Sequence, residues 1–356
     1  MATQASMGFV GSVTFKNINV SGINDNVTVR ATSADIRASQ EITFPDVVDG
    51  RMDRTVYQLG PRIVEGNISF PLVHEGGQQG DTGKPCGTEV SHGQIFWEMA
   101  TARDPVGRII NGNLGVAIRY TDNTAFLYPG GLINNMTMSV TQESTVDMSL
   151  DIIAGKSITG NVRETDPSIG TDTDFLAPAR IVTWNDFVVH IYGDSDVLVS
   201  GQEIRSFEAS VNNNAQRFYT LNNRLSPQDI AAGKRVIEGN VAIMGYHQGL
   251  SALAYTNDIR YTSNSKVGFG YTLGGSSSPV FSTVVKGVVF EIEEIAITND
   301  LVETRVPWYG MADCECNYEA TELGAIGSQL PSSWPNNTDC TSFGGPTSPA
   351  FPTFGS

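Results

Sequence analysis

The sequence predicts a mainly β protein made of two related antiparallel β-sandwich or barrel domains in tandem, each covered by one α-helix. Three observations carry this. Short runs of residues alternate apolar and polar side chains with the period of a half-buried strand. Gly, Asn, Ser and Thr fill the stretches between β-branched runs, as in mostly-β proteins. Finally, Arg62-Ile-Val-Glu-Gly-Asn-Ile-Ser-Phe70 returns as Arg235-Val-Ile-Glu-Gly-Asn-Val-Ala-Ile243, with Glu-Gly-Asn identical and each apolar position keeping its character.

The repeat is collinear on both sides of this segment. Val13-Thr14-Phe15 is answered by Val182-Thr183-Trp184, and Asp35-Ile36-Arg37 by Glu203-Ile204-Arg205. A long polar excursion follows in each copy, 46–60 in the first and 213–233 in the second. Long connections with no core of their own are usually binding segments or disordered, so the loop ends Asp46, Gly60, Asn213 and Gly233 are read as candidates for inter-subunit contact.

In the repeated strand, Val64, Gly66, Ile68, Phe70 and Leu72 alternate with Ile63, Glu65, Asn67 and Ser69. The spacing then predicts an amphipathic helix over 94–101 and a second from residue 250. Met136, Met138 and Val140, then Val146, Met148, Leu150 and Ile152, read as two strands of a hairpin turning near Gln142-Glu143-Ser144. In the second copy Phe207, Ala209 and Val211 alternate with Glu208, Ser210 and Asn212, and Ile237, Val241 and Ile243 with Glu238, Asn240 and Ala242. Phe290 and Ile292 share a parity that Ile295 and Ile297 do not, which predicts a β-bulge at Glu293-Glu294.

These elements divide the chain into an N-terminal arm (1–6), a first β-domain (7–158), a linker (159–177), a second β-domain (178–313) and a C-terminal arm (314–356). The linker carries Asp166-Pro167, Gly170 and a Thr-Asp-Thr-Asp run, all turn-favouring. Pro331, Pro335, Pro346, Pro349 and Pro352 block helix and strand in the arm, which is read as extended or disordered.

A formal net charge of −16 argues against a surface that grips DNA, because phosphate binding needs clustered Lys and Arg. It suits a surface that DNA passes without sticking. No run approaches a membrane span and the start lacks a secretory h-region, so assembly in a cytoplasm is expected. The four cysteines fit no secreted disulfide framework: Cys86 is remote from Cys314, Cys316 and Cys340, and free thiols are the default.

Chemistry-bearing constellations are sparse. Of the four histidines, none neighbours a Ser or Cys in a nucleophile motif, and His190 within Val188-Val-His-Ile-Tyr192 reads as a strand residue. His74, Cys86 and His92 match no compact ligand pattern for zinc, and Asp166, Asp172 and Asp174 lack the spacing of a calcium loop. Gly268-Phe-Gly270 and Gly274-Gly275 have the wrong spacing for a nucleotide loop and are read as turn glycines. A carbohydrate-active enzyme would need a carboxylate pair at a defined spacing, which nothing here supplies. No catalytic, cofactor-binding or metal-binding residue is expected.

The order of elements, with a strand, a long loop ending in Gly60 or Gly233, the Arg62 to Phe70 or Arg235 to Ile243 strand, a helix, and a closing hairpin that begins at Tyr128-Pro-Gly-Gly in the first copy, resembles the phage tail tube protein family. Together the two copies cover most of the chain. The resemblance implies a structural virion protein of the tail, with no enzymatic activity and no cofactor. Single-domain members form stacked hexameric rings whose inner sheets join into one barrel, so a duplicated member is expected to form pseudo-sixfold trimers around a channel through which viral DNA is ejected. Its expected partners are itself, a tape measure protein in the lumen, tail terminator and baseplate or tail tip proteins, and a sheath where the tail has one. DNA passes transiently and no membrane is involved. On that reading Glu41, Glu65, Asp147, Asp151, Glu208, Glu238, Glu291 and Glu293 are candidate channel-lining acids. A baseplate hub, tail adaptor or capsid decoration protein is the alternative.

Overall fold

A computed structural model describes residues 12–16, 27–44, 57–75, 90–101, 114–121, 124–155, 158–159, 179–192, 197–199, 203–221, 225–245, 247, 265–272, 279–285, 287–291, 294–297, 302–310 and 321–323. The fold is mainly β, with antiparallel ladders and one helix among the described residues. The chain divides into two compact units, residues 1–184 with 208–236, and residues 185–207 with 237–356. The stretch 208–236, which follows the start of the second sequence copy, therefore folds with the first.

The first unit contains β1 (Ser12–Lys16), β2 (Val27–Val29), β3 (Ser33–Thr43), β4 (Gln58–Pro71), β5 (Val73–Glu75), β6 (Val90–Ser91), α1 (His92–Thr101), β7 (Leu114–Thr121), β8 (Thr124–Thr141), β9 (Asp147–Ala154), β10 (Ile158–Thr159) and β11 (Ala179–Ile181). β12 (Phe187–Tyr192) and β13 (Val197–Val199) belong to the second unit. β14 (Ile204–Asn212) crosses the division at Phe207, and β15 (Gln216–Phe218) and β16 (Asp229–Ala231) lie in the first unit. β17 (Val236–Met244), β18 (Lys266–Thr272), β19 (Pro279–Val285), β20 (Val288–Phe290), β21 (Glu294–Ile297), β22 (Val302–Gly310) and β23 (Thr321–Leu323) complete the chain.

In the first unit β3, β4, β9 and β8 pair in that order, and the other half of β8 pairs with β7, which continues to β1 and β2. The handover occurs at Tyr128-Pro-Gly-Gly. Gly130 has φ 67° and Gly131 is the register partner of both Leu114 and Ala154. A side chain on Gly131 would press on the carbonyls of Ile153 and Leu114 at 3.2 and 3.3 Å, so glycine permits the strand to serve two neighbours.

The apolar parity predicted from the sequence is the buried one. Val64, Ile68 and Phe70 of β4, Met136 and Met138 of β8, and Met148, Leu150 and Ile152 of β9 are nearly or fully inaccessible. Helix α1 covers this layer, with the Phe96 ring 4.8 Å from Phe15 of β1 and 5.0 Å from Phe70 of β4. The predicted turn between β8 and β9 is present, with Glu143 at φ 64° and the Ser144 hydroxyl donating to the Thr141 carbonyl at 2.7 Å.

In the second unit β17 pairs with β22, and β22 pairs with β20 and β21. Phe290 opposes Trp308 and Glu294 opposes Arg305, which leaves one surplus residue in the strand between them. The register thus shifts by one residue where the sequence predicts the bulge, and Glu293 itself lies outside the described residues. A separate sheet, β13-β12-β18-β19-β23, supplies the facing core layer. Phe207 lies 5.0 Å from Phe269 and stacks on Trp308 at 6.0 Å with 14° between the rings.

Four expectations change. Gly268 and Gly270 serve no turn: both lie within β18, where a side chain on Gly270 would fall 2.2 Å from the Phe281 carbonyl oxygen, so glycine allows β19 to approach. Residues 321–323 of the C-terminal arm pair with β19. Asp35-Ile36-Arg37 is not matched by Glu203-Ile204-Arg205: Ile36 faces the core, and the inward residues of β14 are Phe207, Ala209 and Val211, a parity that Ile204 does not share. At the offset relating Arg62 to Arg235, Ile36 falls on Ala209. The excursion 213–233 has structure of its own, the β15–β16 ladder. The second helix expected from residue 250, and most of the linker, lie outside the described residues.

Candidate functional site

The polar parity of the first unit assembles one open face. Register pairs Arg37 with Glu65, Asp35 with Asn67, and Asn67 with Asp151, and Asp151 with Asn135. Asn67 donates to Asp151 at 2.7 Å and to the Ser149 hydroxyl at 2.7 Å, while Asn135 donates to the other Asp151 oxygen at 3.3 Å. The identical Asn of the repeated Glu-Gly-Asn therefore ties β4 to β9 on the wet side, and Asp151 passes the link on to Asn135 of β8. A shallow depression here is lined by Asp35, Arg37, Glu65, Asn67, Asn134 and Asp151.

Of the predicted lining acids in this unit, Glu65, Asp147 and Asp151 stand on this face; Glu41, beyond them on β3, and Glu208 on β14 are exposed. Glu65 is not a bare charge, because Arg217 binds it at 2.7 Å. Asp35, which sequence reasoning passed over, is also present, bound by Arg37 at 2.5 Å. Its signal was its odd position on the β3 ladder. In the second unit Glu238 opposes Tyr309, whose hydroxyl donates to Glu291 at 3.0 Å. That hydrogen bond and the carboxylate charge push the Tyr309 phenol above its usual range. Glu293 lies outside the described residues.

The predicted loop ends divide similarly. Asp46 is outside the described residues. Gly60 faces the backbone of Glu41, and Gly233 that of Asn214, at equivalent positions of the two copies. Asn213 is fully buried and its side-chain amide donates to the carbonyls of Ala100, near the end of α1, and of Ile133 at 3.0 and 2.9 Å. The Arg235 guanidinium donates to the carbonyl of Thr101, the last residue of α1, where a cation complements the helix dipole.

The body of this loop lies against β4. β9 stops pairing with β4 at Val64, and just beyond it the Arg62 amide donates to the Leu225 carbonyl at 2.6 Å. Arg217 adds a bond to the Val64 carbonyl at 3.2 Å and Tyr219 one to the Arg62 carbonyl at 3.2 Å. The second-copy loop thus docks on the first-copy strand within one chain.

Among the described residues no cluster of His, Cys, Asp and Glu could hold a metal ion. Broad polar sheet faces, a loop whose described residues bond to β4, and open strand edges are surfaces suited to association with other chains. A family model for the phage tail tube protein matches residues 3–310, so the chain belongs to the phage tail tube protein family. It is a structural subunit of the virion tail, not an enzyme, and it assembles with itself and with other tail proteins. No curated protein matches the chain.

Proposed function

We propose that the chain is a tandem duplication, that three copies close into a pseudo-sixfold ring, and that stacked rings form the channel through which viral DNA leaves. The observation that carries this is that the two units repeat one strand order. β3, β4, β9 and β8 pair in that order in the first, and β17, β22 and β20 with β21 follow the order of β4, β9 and β8 in the second. The described partner of β3 is β4, and that of β20 and β21 is β22, so each set ends on an open edge among the described residues. Unpaired edges invite association, and a head-to-tail join that closes consumes both.

On this reading the polar faces become the inner wall, lined by Glu41, Glu65, Asp147, Asp151, Glu208, Glu238, Glu291 and Glu293. Arg217 neutralises Glu65, so the wall is acidic chiefly through the others. A net negative wall repels phosphates and lets DNA slide. A tape measure protein, a tail terminator, baseplate or tip proteins, and a sheath where present are the partners that this role implies. End-on negative-stain views of the purified assembly, with native mass analysis of released rings, provide the test: three chains per ring are expected, and rings of six chains, or only monomers, overturn the trimer.

A further inference from the structure

We infer that Asp35 and Glu65 act as guards of the arginines beside them, keeping Arg37 and Arg217 from the phosphates of passing DNA. The inference rests on the channel reading above. Its basis is that both guanidiniums reach the polar face of the first unit against a carboxylate. Arg37 meets Asp35 at two points, Nε to Oδ1 at 2.7 Å and Nη2 to Oδ2 at 2.5 Å, and Glu65 is its register partner across the ladder. Arg217, bonded to the Val64 carbonyl, meets Glu65 at 2.7 Å. The two pairs, Asp35 with Arg37 and Glu65 with Arg217, sum to no net charge.

A guanidinium suits phosphate because its fork of donors fits two oxygens, so an uncovered arginine on the wall would hold DNA at every ring. Arg37 and Asp35 are 80% and 60% exposed, and the bond between them is weak in water. Charge, more than bond strength, does the guarding. A phosphate that takes Arg37 displaces Asp35 and then sits within the screening length of an unpaired carboxylate, which offsets the new contact. The second copy supplies a comparison. At the offset relating Arg62 to Arg235, Asp35 falls on Glu208 and Arg37 on Ser210. Both lie on the outward parity of β14, Glu208 exposed and Ser210 half-buried. Glu208 thus repeats the acid at a position where uncharged Ser210 replaces the arginine.

The test compares virions carrying single substitutions, with DNA release read by dye fluorescence after receptor triggering. Asp35→Asn and Glu208→Gln each remove one negative charge at equivalent positions, and only the first uncovers an arginine. Asp35→Asn is expected to slow release more than about fivefold and Glu208→Gln less than about twofold, with the difference shrinking as salt is raised. Adding Arg37→Gln to Asp35→Asn is expected to restore the parental rate. Equal rates for the two single variants, a difference that salt leaves unchanged, or a double variant that stays slow overturns the guarding and leaves the channel reading in place. Where Asp35→Asn blocks assembly, Ser210→Arg with Glu208→Gln creates the same uncovered cation in the second copy. That pair is expected to slow release while Ser210→Arg alone does not, and equal rates for these two overturn the guarding as well. The channel reading is tested separately by the end-on views above: only monomers, with no channel, overturn it and this inference together.

Discussion

Gly66 illustrates how a single position ties the repeated motif to the fold. A side chain there would fall 2.0 Å from the Asp35 carbonyl oxygen and 2.5 Å from the Ile36 Cα, both backbone atoms that cannot swing aside. Gly66→Ala is expected to destabilise the first unit by more than about 3 kcal/mol, whereas Gly155→Ala, whose nearest contact would be 3.4 Å, stays within about 1 kcal/mol. Thermal denaturation of the two variants checks this. His190 gives a second prediction at this scale. Its ring is half-buried in β12, its Nδ1 has no hydrogen-bond partner, and burial lowers its pKa from 6.5. The folded state therefore binds a proton less readily than the unfolded chain, so this contribution to stability is full above about pH 6.5 and lost as pH falls below it. His190→Gln is expected to flatten the fall in denaturation midpoint between about pH 7 and 5; an unchanged slope would count against it.

At the scale of elements, the docking of 213–233 turns on Arg217. Its side chain is 16% exposed and joins both the Glu65 carboxylate and the Val64 carbonyl. Arg217→Ala is expected to cost about 1–2 kcal/mol and to speed amide hydrogen exchange across 216–231. Glu65→Gln should cost less, under about 1 kcal/mol, because that carboxylate is 60% exposed and screened by water. Equal effects of the two changes would mean that charge, not burial of the guanidinium, holds the loop. Elements of this kind differ in how well they are written in sequence. β4, β8, β9 and α1 follow from local periodicity, since one residue in two or four must face the core. The bulge near Glu293 is a parity error that a strand corrects only by an extra residue. The three-stranded sheet β11-β5-β6 is unwritten, because Ala179 and Glu75 meet only by a distant pairing of two short, unremarkable runs.

For the whole molecule, the proposed channel predicts that the acidic faces act on passing DNA. Asp147→Asn, Asp151→Asn, Glu208→Gln and Glu238→Gln combined remove four charges from the proposed wall. Tubes are expected to form normally while DNA release from virions carrying them slows several-fold, read by dye fluorescence after receptor triggering. Unchanged release would remove electrostatics from the role of the channel. The companion expectation concerns edges: a chain held as a monomer should expose β3 and β21 and aggregate with concentration, while rings should not.

The sequence by itself determined the β class, the duplication signal, the parity of every strand it named in the first unit, and the resemblance to tail tubes. Each of these is local or repeated information, readable because side chains must alternate between water and core. It also nominated the acids, since polar parity places them on the wet face. Only the tertiary structure decided which of them carry free charge: Arg217 reaches Glu65 across more than a hundred intervening residues. It decided too that 208–236 folds with the first unit, and that the loop 213–233 is seated on β4 rather than extended. The physical reason is the same in both cases. Docking on an already formed strand depends on where the neighbouring ladder happens to stop, and no periodicity along the chain records that.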